Sequence, residues 1–146
     1  MITRRDMFAA LPALAATAGL FAAAEEKPIM GSHVFDWNTI PVRPTKYGSL
    51  RSFCSTPTAT LENIELHVTT LNPGESPHPP HRHPNEEMII IRQRTVDTLS
   101  NGEWKRVGSG PVIFNGSNRL QGLKNAGSDQ AIYHVINWKT AATPAS

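Results

Sequence analysis

Between Thr60 and Trp138 the chain has no run of apolar residues at helical spacing. It has short β-branched and apolar segments that stop at proline, glycine or asparagine roughly every eight to twelve residues. That punctuation restricts the fold to short antiparallel strands. "TLENIELHVTTL", Thr60 to Leu71, is dense in strand-forming side chains and ends at Asn72-Pro73-Gly74, which predicts a central strand. Met88 to Ile91 continue through Val96 and Leu99 to an Asn101-Gly102 pair, with Trp104 to Val107 beyond it. Asn-Gly between two such runs signals a hairpin, because a type I′ turn needs positive φ at both central residues. "GSGPVIF" and "NRLQGLKNAG" each supply a further short strand, and "AIYHVINW", Ala131 to Trp138, closes the domain. Residues 25–60, broken by Pro28, Gly31, Pro41, Pro44, Gly48 and Pro57, read as a lead-in with short edge strands around Val34–Trp37 and Leu50–Phe53. Roughly six to nine short strands in one domain imply an all-β fold, an antiparallel sandwich or small barrel. Residues 139–146, "KTAATPAS" with its lysine, read as a flexible tail.

The opening "MITRRDMFAALPALAATAGLFAAA" sets Arg4 and Arg5 ahead of an apolar, alanine-rich run that ends in small residues before Glu25. This reads as a cleavable signal peptide over residues 1–24, with the arginine pair pointing to the twin-arginine route and to the periplasm or the cell exterior. Pro12 and Gly19 interrupt the run, which is short for a span of about 20 residues, so no stable membrane span is expected after cleavage. Arg4, Arg5 and Asp6 leave with it, taking one of the two net positive charges. Arg92 and Arg94 are then the nearest approach to a basic cluster, which excludes nucleic acid as a partner. Cys54 is the only cysteine, so no disulfide can staple the chain, and the thiol is expected to pack as a small hydrophobe.

Chemistry concentrates in "NPGESPHPPHRHPNEEMIII", residues 72–91, which holds three of the six histidines. Residues two apart in extended backbone point the same way, so His81 and His83 can aim both imidazoles at one point. Glu87 begins the next strand on the face of Ile89, Ile91 and Gln93, while Glu86 points away. Two neutral imidazoles and a carboxylate suit one divalent metal ion, with Fe, Mn, Zn and Ni all admissible, and match the ligand set of non-haem iron sites. Pro79, Pro80 and Pro84 stiffen the loop and lower the entropy lost in assembling the site. Exposed histidines in a proline-rich loop are the alternative that the pattern leaves open.

The stretch "PGESPHPPHRHPNEEMIII" resembles the first motif of the cupin family, and "GPVIFNGSNRLQGLKNAG" resembles its second. The resemblance runs from about Leu61 to Trp138 and implies a double-stranded β-helix of jelly-roll type over residues 61–138, usually dimeric. It also implies a metal held by His81, His83 and Glu87 and by a histidine of the second motif. Three positions depart from the family pattern. Arg94 stands where a glycine is usual, Asn115 where a proline is usual, and Gln121 where the second motif's histidine is expected, with Asn125 keeping its place. Glutamine can offer an amide oxygen to a metal, but it is a weaker donor than imidazole.

Other side chains are candidates for supporting roles. His78 is expected at the rim and Glu86 behind a ligand histidine; Arg119 could meet an anionic substrate at the barrel mouth. His67 and His134, in the strands before and after the motifs, could be buried histidines or general acids or bases, and His134 could supply the missing imidazole. Three functions follow. One is an exported metalloenzyme with Gln121 and His134 near the substrate, a dioxygenase with iron or an isomerase or lyase with other metals. The others are a non-catalytic binding module for a small, sugar acid-like ligand that keeps the barrel and the metal, and a structural or interaction protein, a cupin whose motif has decayed and lost its metal. In the first two the partner is a small molecule, and a homodimer is expected. Amino-terminal sequencing of exported protein should begin at Glu25; a chain beginning at Met1 would contradict the leader.

Overall fold

The structure is a computed structural model that describes residues 28–145, so the signal peptide read over 1–24 lies outside the described residues. Nine strands follow one another: β1 (Arg43–Thr45), β2 (Gly48–Thr56), β3 (Asn63–Leu71), β4 (Glu86–Gln93), β5 (Val96–Ser100), β6 (Glu103–Val107), β7 (Val112–Asn115), β8 (Gly122–Asn125) and β9 (Ala131–Lys139). They form an antiparallel six-stranded sheet in the order β1-β2-β3-β9-β4-β7 and a three-stranded sheet in the order β6-β5-β8. Leu71, Ile89, Ile91, Ile113, Ala131, Tyr133 and Val135 from the large sheet meet Val96 and Leu123 from the small one. This is the all-β jelly-roll barrel that the strand punctuation demands.

The expected strand over Val34–Trp37 does not form. A single 3-10 turn spans Trp37–Thr39, with Asp36 Oδ1 accepting from the Asn38 N–H at 2.9 Å. The reason lies in what Trp37 packs against. The Arg51 guanidinium sits 4.6 Å and that of Arg92 5.2 Å from its ring centroid, and Phe53 lies beside it. Arg51 and Arg92 stand on the outer face of the large sheet, so the lead-in crosses that face instead of joining the ladder. At the other end Thr140 and Thr143 close a hydrogen-bonded turn after β9.

Turn chemistry fixes the registers. Asn101 and Gly102 have φ of 52° and 82°, so the β5–β6 hairpin turns as the Asn-Gly pair predicts. Arg94 takes φ of 74° in the turn between β4 and β5, the left-handed conformation that the family meets with glycine. Its N–H donates to Ser109 Oγ at 2.9 Å, and its guanidinium lies 3.6 Å from Asp129. Gly48 is constrained harder. Its φ is 146°, and a Cβ there would stand 2.0 Å from the Thr70 carbonyl oxygen of β3.

Asn125 holds the end of the barrel away from the histidines. Its Nδ2 donates to the carbonyls of Leu71 and Asp129, each at 2.8 Å, and its Oδ1 accepts from the Gly127 N–H at 2.9 Å. The residue is fully buried, so each bond replaces one that water would have made. Gly48→Ala is expected to cost at least about 3 kcal/mol in urea unfolding, and Asn125→Ala about 2 kcal/mol, since one loses the strand contact and the other leaves buried groups unpaired.

Candidate functional site

The two sequence motifs meet because their loops form a short ladder. His81 and Gln121 exchange backbone hydrogen bonds in both directions at 3.0 Å, and the Asn118 N–H donates to the His83 carbonyl at 2.8 Å. The Arg82 guanidinium adds a bond to the Asn118 carbonyl at 2.7 Å. On the other side of the loop, Pro80 and Trp104 press on Gly122, where an added Cβ would meet them at 3.3 and 3.2 Å. The proline-rich loop is thus held between the second motif and the β5–β6 hairpin.

This geometry brings His81, His83, Glu87 and Gln121 together. The ring centroids of His81 and His83 are 5.4 Å apart, and His83 Nε2 lies 3.7 Å from Glu87 Oε2. His83 Nδ1 donates to the Asn85 carbonyl at 2.8 Å, so in the neutral ring Nε2 is an acceptor, and the Gln121 side-chain amide nitrogen bonds to it. Asn115 pairs with Glu87 across β7 and β4 and donates Nδ2 to Glu87 Oε1 at 2.9 Å. Neither Asn115 nor Asn85 was singled out as part of the site from the sequence. A pairing of Asn115 with Glu87 is a register fact, and no local pattern encodes it.

Burial pushes the Glu87 carboxyl up, but His83 and Asn115 more than offset it and hold it below the usual carboxylate value. The neighbouring carboxylate raises the His83 imidazole against the effect of burial. His81 moves the other way, lowered by burial and by the two adjacent histidines. Its Nδ1 is buried without a partner, as is Gln121 Oε1.

Glu87 and Gln121 line a cavity of about 230 Å³ between the sheets. Its other walls include Tyr47, Leu50, Ile89, Leu123, Tyr133 and Val135, with His67, Thr69 and Asn115 as further polar lining. His78 sits at its edge, its ring 4.1 Å from that of His81. His67 is on the inner face of β3, where its Nδ1 pairs with Glu65 at 3.1 Å.

Four expected positions fall elsewhere. His134 pairs with Val68 and Ile90 on the outer face of the large sheet, where burial and Arg92 lower its imidazole; it can supply no ligand to the cavity. Glu86 is on the same outer face, in a hollow with Trp138 and Pro144, so the Asn85 carbonyl and not Glu86 orients His83. Arg119 is exposed in the turn after Gly116 and does not line the cavity. Asn125 is the structural pin described above.

The donors as they stand do not form a coordination sphere. The Gln121 amide occupies the His83 nitrogen that a metal would use, and among the described residues no group of three or more His, Cys, Asp or Glu side chains is arranged to hold an ion.

The family model for the Cupin domain matches residues 67–137. No curated protein matches the chain. Among solved structures, the polyketide cyclase RemF from Streptomyces resistomycificus superposes with a TM-score of 0.59 at 19% identity, covering 75% of this chain and 80% of its own. KdgF from Halomonas sp. gives a TM-score of 0.60 at 14% identity, over 72% of this chain and 94% of its own. A predicted oxalate decarboxylase from Thermotoga maritima gives 0.58 at 16% identity, over 73% and 99%. At these identities the likeness concerns the fold.

The Glu87–His83 pair makes a pH prediction. The lowered Glu87 contributes stability above its ordinary titration and loses it as pH falls through the folded value; the raised His83 contributes below its ordinary titration and loses it as pH rises through the folded value. Their mutual contribution is therefore largest between the two. Glu87→Gln should lower the melting temperature most in the window between the lowered Glu87 titration and the raised His83 titration, and less as pH rises through the His83 folded value, as read from melting curves across a pH series.

Proposed function

We propose that this chain, which belongs to the cupin family, binds a small organic molecule in the barrel cavity and holds it through Glu87 and Gln121, without turnover and without a metal ion. The observation that carries this reading is the bond from the Gln121 amide to His83 Nε2, which uses the nitrogen that would otherwise face a metal. In this role the histidines are internal braces. His83 sets the charge and direction of Glu87, and His81 carries the backbone ladder that brings Gln121 into the wall. The apolar walls supply affinity and the few polar atoms orient the guest, the usual division of labour in small-molecule pockets.

A second reading keeps one divalent ion, Fe, Mn, Zn or Ni, on His81, His83, Glu87 and Gln121. The unpartnered His81 Nδ1 and Gln121 Oε1 favour it, since two buried polar atoms without partners are costly. Such an ion would act as a Lewis acid toward a bound guest.

The export route and the homodimer remain part of the proposal. Val112 and Phe114 are more than half exposed on the outer face of the large sheet, beside the partly buried Met88 and Trp138. A second copy covering this face would bury them.

The cavity reading is tested by blocking it. Val135→Trp should abolish saturable binding of small ring compounds followed by NMR shifts of Glu87, Gln121 and Tyr133, while leaving the fold intact by circular dichroism. Unchanged binding in that variant would contradict it. Elemental analysis of untagged protein incubated with the four metals decides the second reading: about one ion per chain supports it, and a trace amount opposes it. Phe114→Arg should convert a dimer to a monomer in sedimentation.

A further inference from the structure

We infer that the guest of the cavity is a small lactam, and that His67, oriented by Glu65, is the residue that recognises its N–H. This rests on the reading that the cavity binds a small organic molecule, and it adds a polar contact on β3 that draws on neither Glu87 nor Gln121.

Glu65 and His67 are two residues apart on β3, so both side chains take the inner face while Leu66 turns outward. His67 Nδ1 lies 3.1 Å from Glu65 Oε1. An ionised carboxylate only accepts, so the proton of the neutral ring sits on Nδ1 and Nε2 is an acceptor. That nitrogen has no partner among the described residues. Unlike His81 Nδ1 it is not enclosed, for the imidazole keeps 19% of its surface and lines the cavity. His83 Nε2, by contrast, is closed by Gln121.

Donors stand one row away. Thr69 follows His67 on the inner face of β3 and pairs with Tyr133 of β9 and Leu50 of β2. Tyr47 is partly buried and Tyr133 almost wholly so; both line the cavity, and their hydroxyls lie close enough to interact. A phenol O–H donates, and a guest carbonyl is the group that accepts from it. Successive inner-face residues of a strand are about 7 Å apart, so one guest hydroxyl cannot serve both rows. A ketone or a carboxylate has no donor for His67, and an ammonium group has no acceptor for the tyrosines. The N–H and C=O of a lactam supply both from one edge of the ring. Size and walls fit the rest of it. A cavity of about 230 Å³ is smaller than those that enclose drug-sized ligands, and Leu50, Ile89, Leu123 and Val135 suit the methylene edge of one small ring.

The test titrates δ-valerolactam, its N-methyl derivative and cyclohexanone by NMR at about pH 8 into untagged protein whose metal content has been measured. The lactam should bind about tenfold more tightly than either of the others, since cyclohexanone lacks the N–H without added bulk and the N-methyl derivative keeps the carbonyl. His67→Phe, checked for folding by circular dichroism, should remove both gaps. Glu65→Gln should narrow them and should move the His67 side-chain 15N resonances away from the pattern of a ring protonated at Nδ1, which a merely structural Glu65 would not do. Tyr47→Phe should weaken all three compounds alike. Equal binding of the three by wild-type protein overturns the proposal and leaves the cavity reading standing. Gaps that persist in His67→Phe overturn it too. Absence of binding by all three overturns it together with the cavity reading.

Discussion

A carboxylate buried in an otherwise apolar barrel sets the terms for the residues around it. Glu87 enters the large sheet on its inner face, level with Asn115 of β7 and Asn137 of β9, and its side chain is almost enclosed. An ionised carboxylate in that position needs polar partners close by. They arrive from different elements, Asn115 donating from a paired strand and His83 lying 3.7 Å away in the proline-rich loop. His83 in turn is held by the Asn85 carbonyl, and Asn85 donates to Asn137 at 2.8 Å on β9. The position of the loop, and with it the ladder from His81 to Gln121, thus follows from satisfying one charge.

Much of the fold was legible because its signals are local. The Asn101-Gly102 turn, the β-branched run before Asn72 and the alternation that separates Glu87 from Glu86 depend on nearest neighbours or on strand parity, and both survive folding. The lead-in was not legible in the same way. Val34–Trp37 has the composition of a strand, but Trp37 finds two arginines from distant strands, and stacking on them wins over pairing. Arg94 shows that a resemblance can give the shape of a turn even where the residue differs: the chain takes positive φ there without glycine.

The site divides along the same line. His81, His83 and Glu87 are close in sequence, and their spacing alone predicts convergence. Gln121 came from the resemblance, and the ladder explains why that position reaches the cluster. Asn115, noted only as a departure from the family's proline, and Asn85 were not read as site residues, because asparagine in a strand or a turn carries no local mark of a distant carboxylate. His134 illustrates the converse error. In the last strand its parity was ambiguous until the register with Val68 and Ile90 assigned it to the outer face.

Replacing the second motif's histidine by glutamine exchanges an imidazole acceptor for an amide that both donates and accepts. The donor half closes His83 Nε2, and the acceptor half, Gln121 Oε1, stays buried without a partner. The most direct measurement of that exchange is the set of side-chain 15N resonances of His81 and His83 during a zinc titration at about pH 8. The account predicts a neutral His83 with the proton on Nδ1 and Nε2 as acceptor, unchanged as zinc is added. A saturable shift of the Nε2 resonance at one zinc per chain would contradict it.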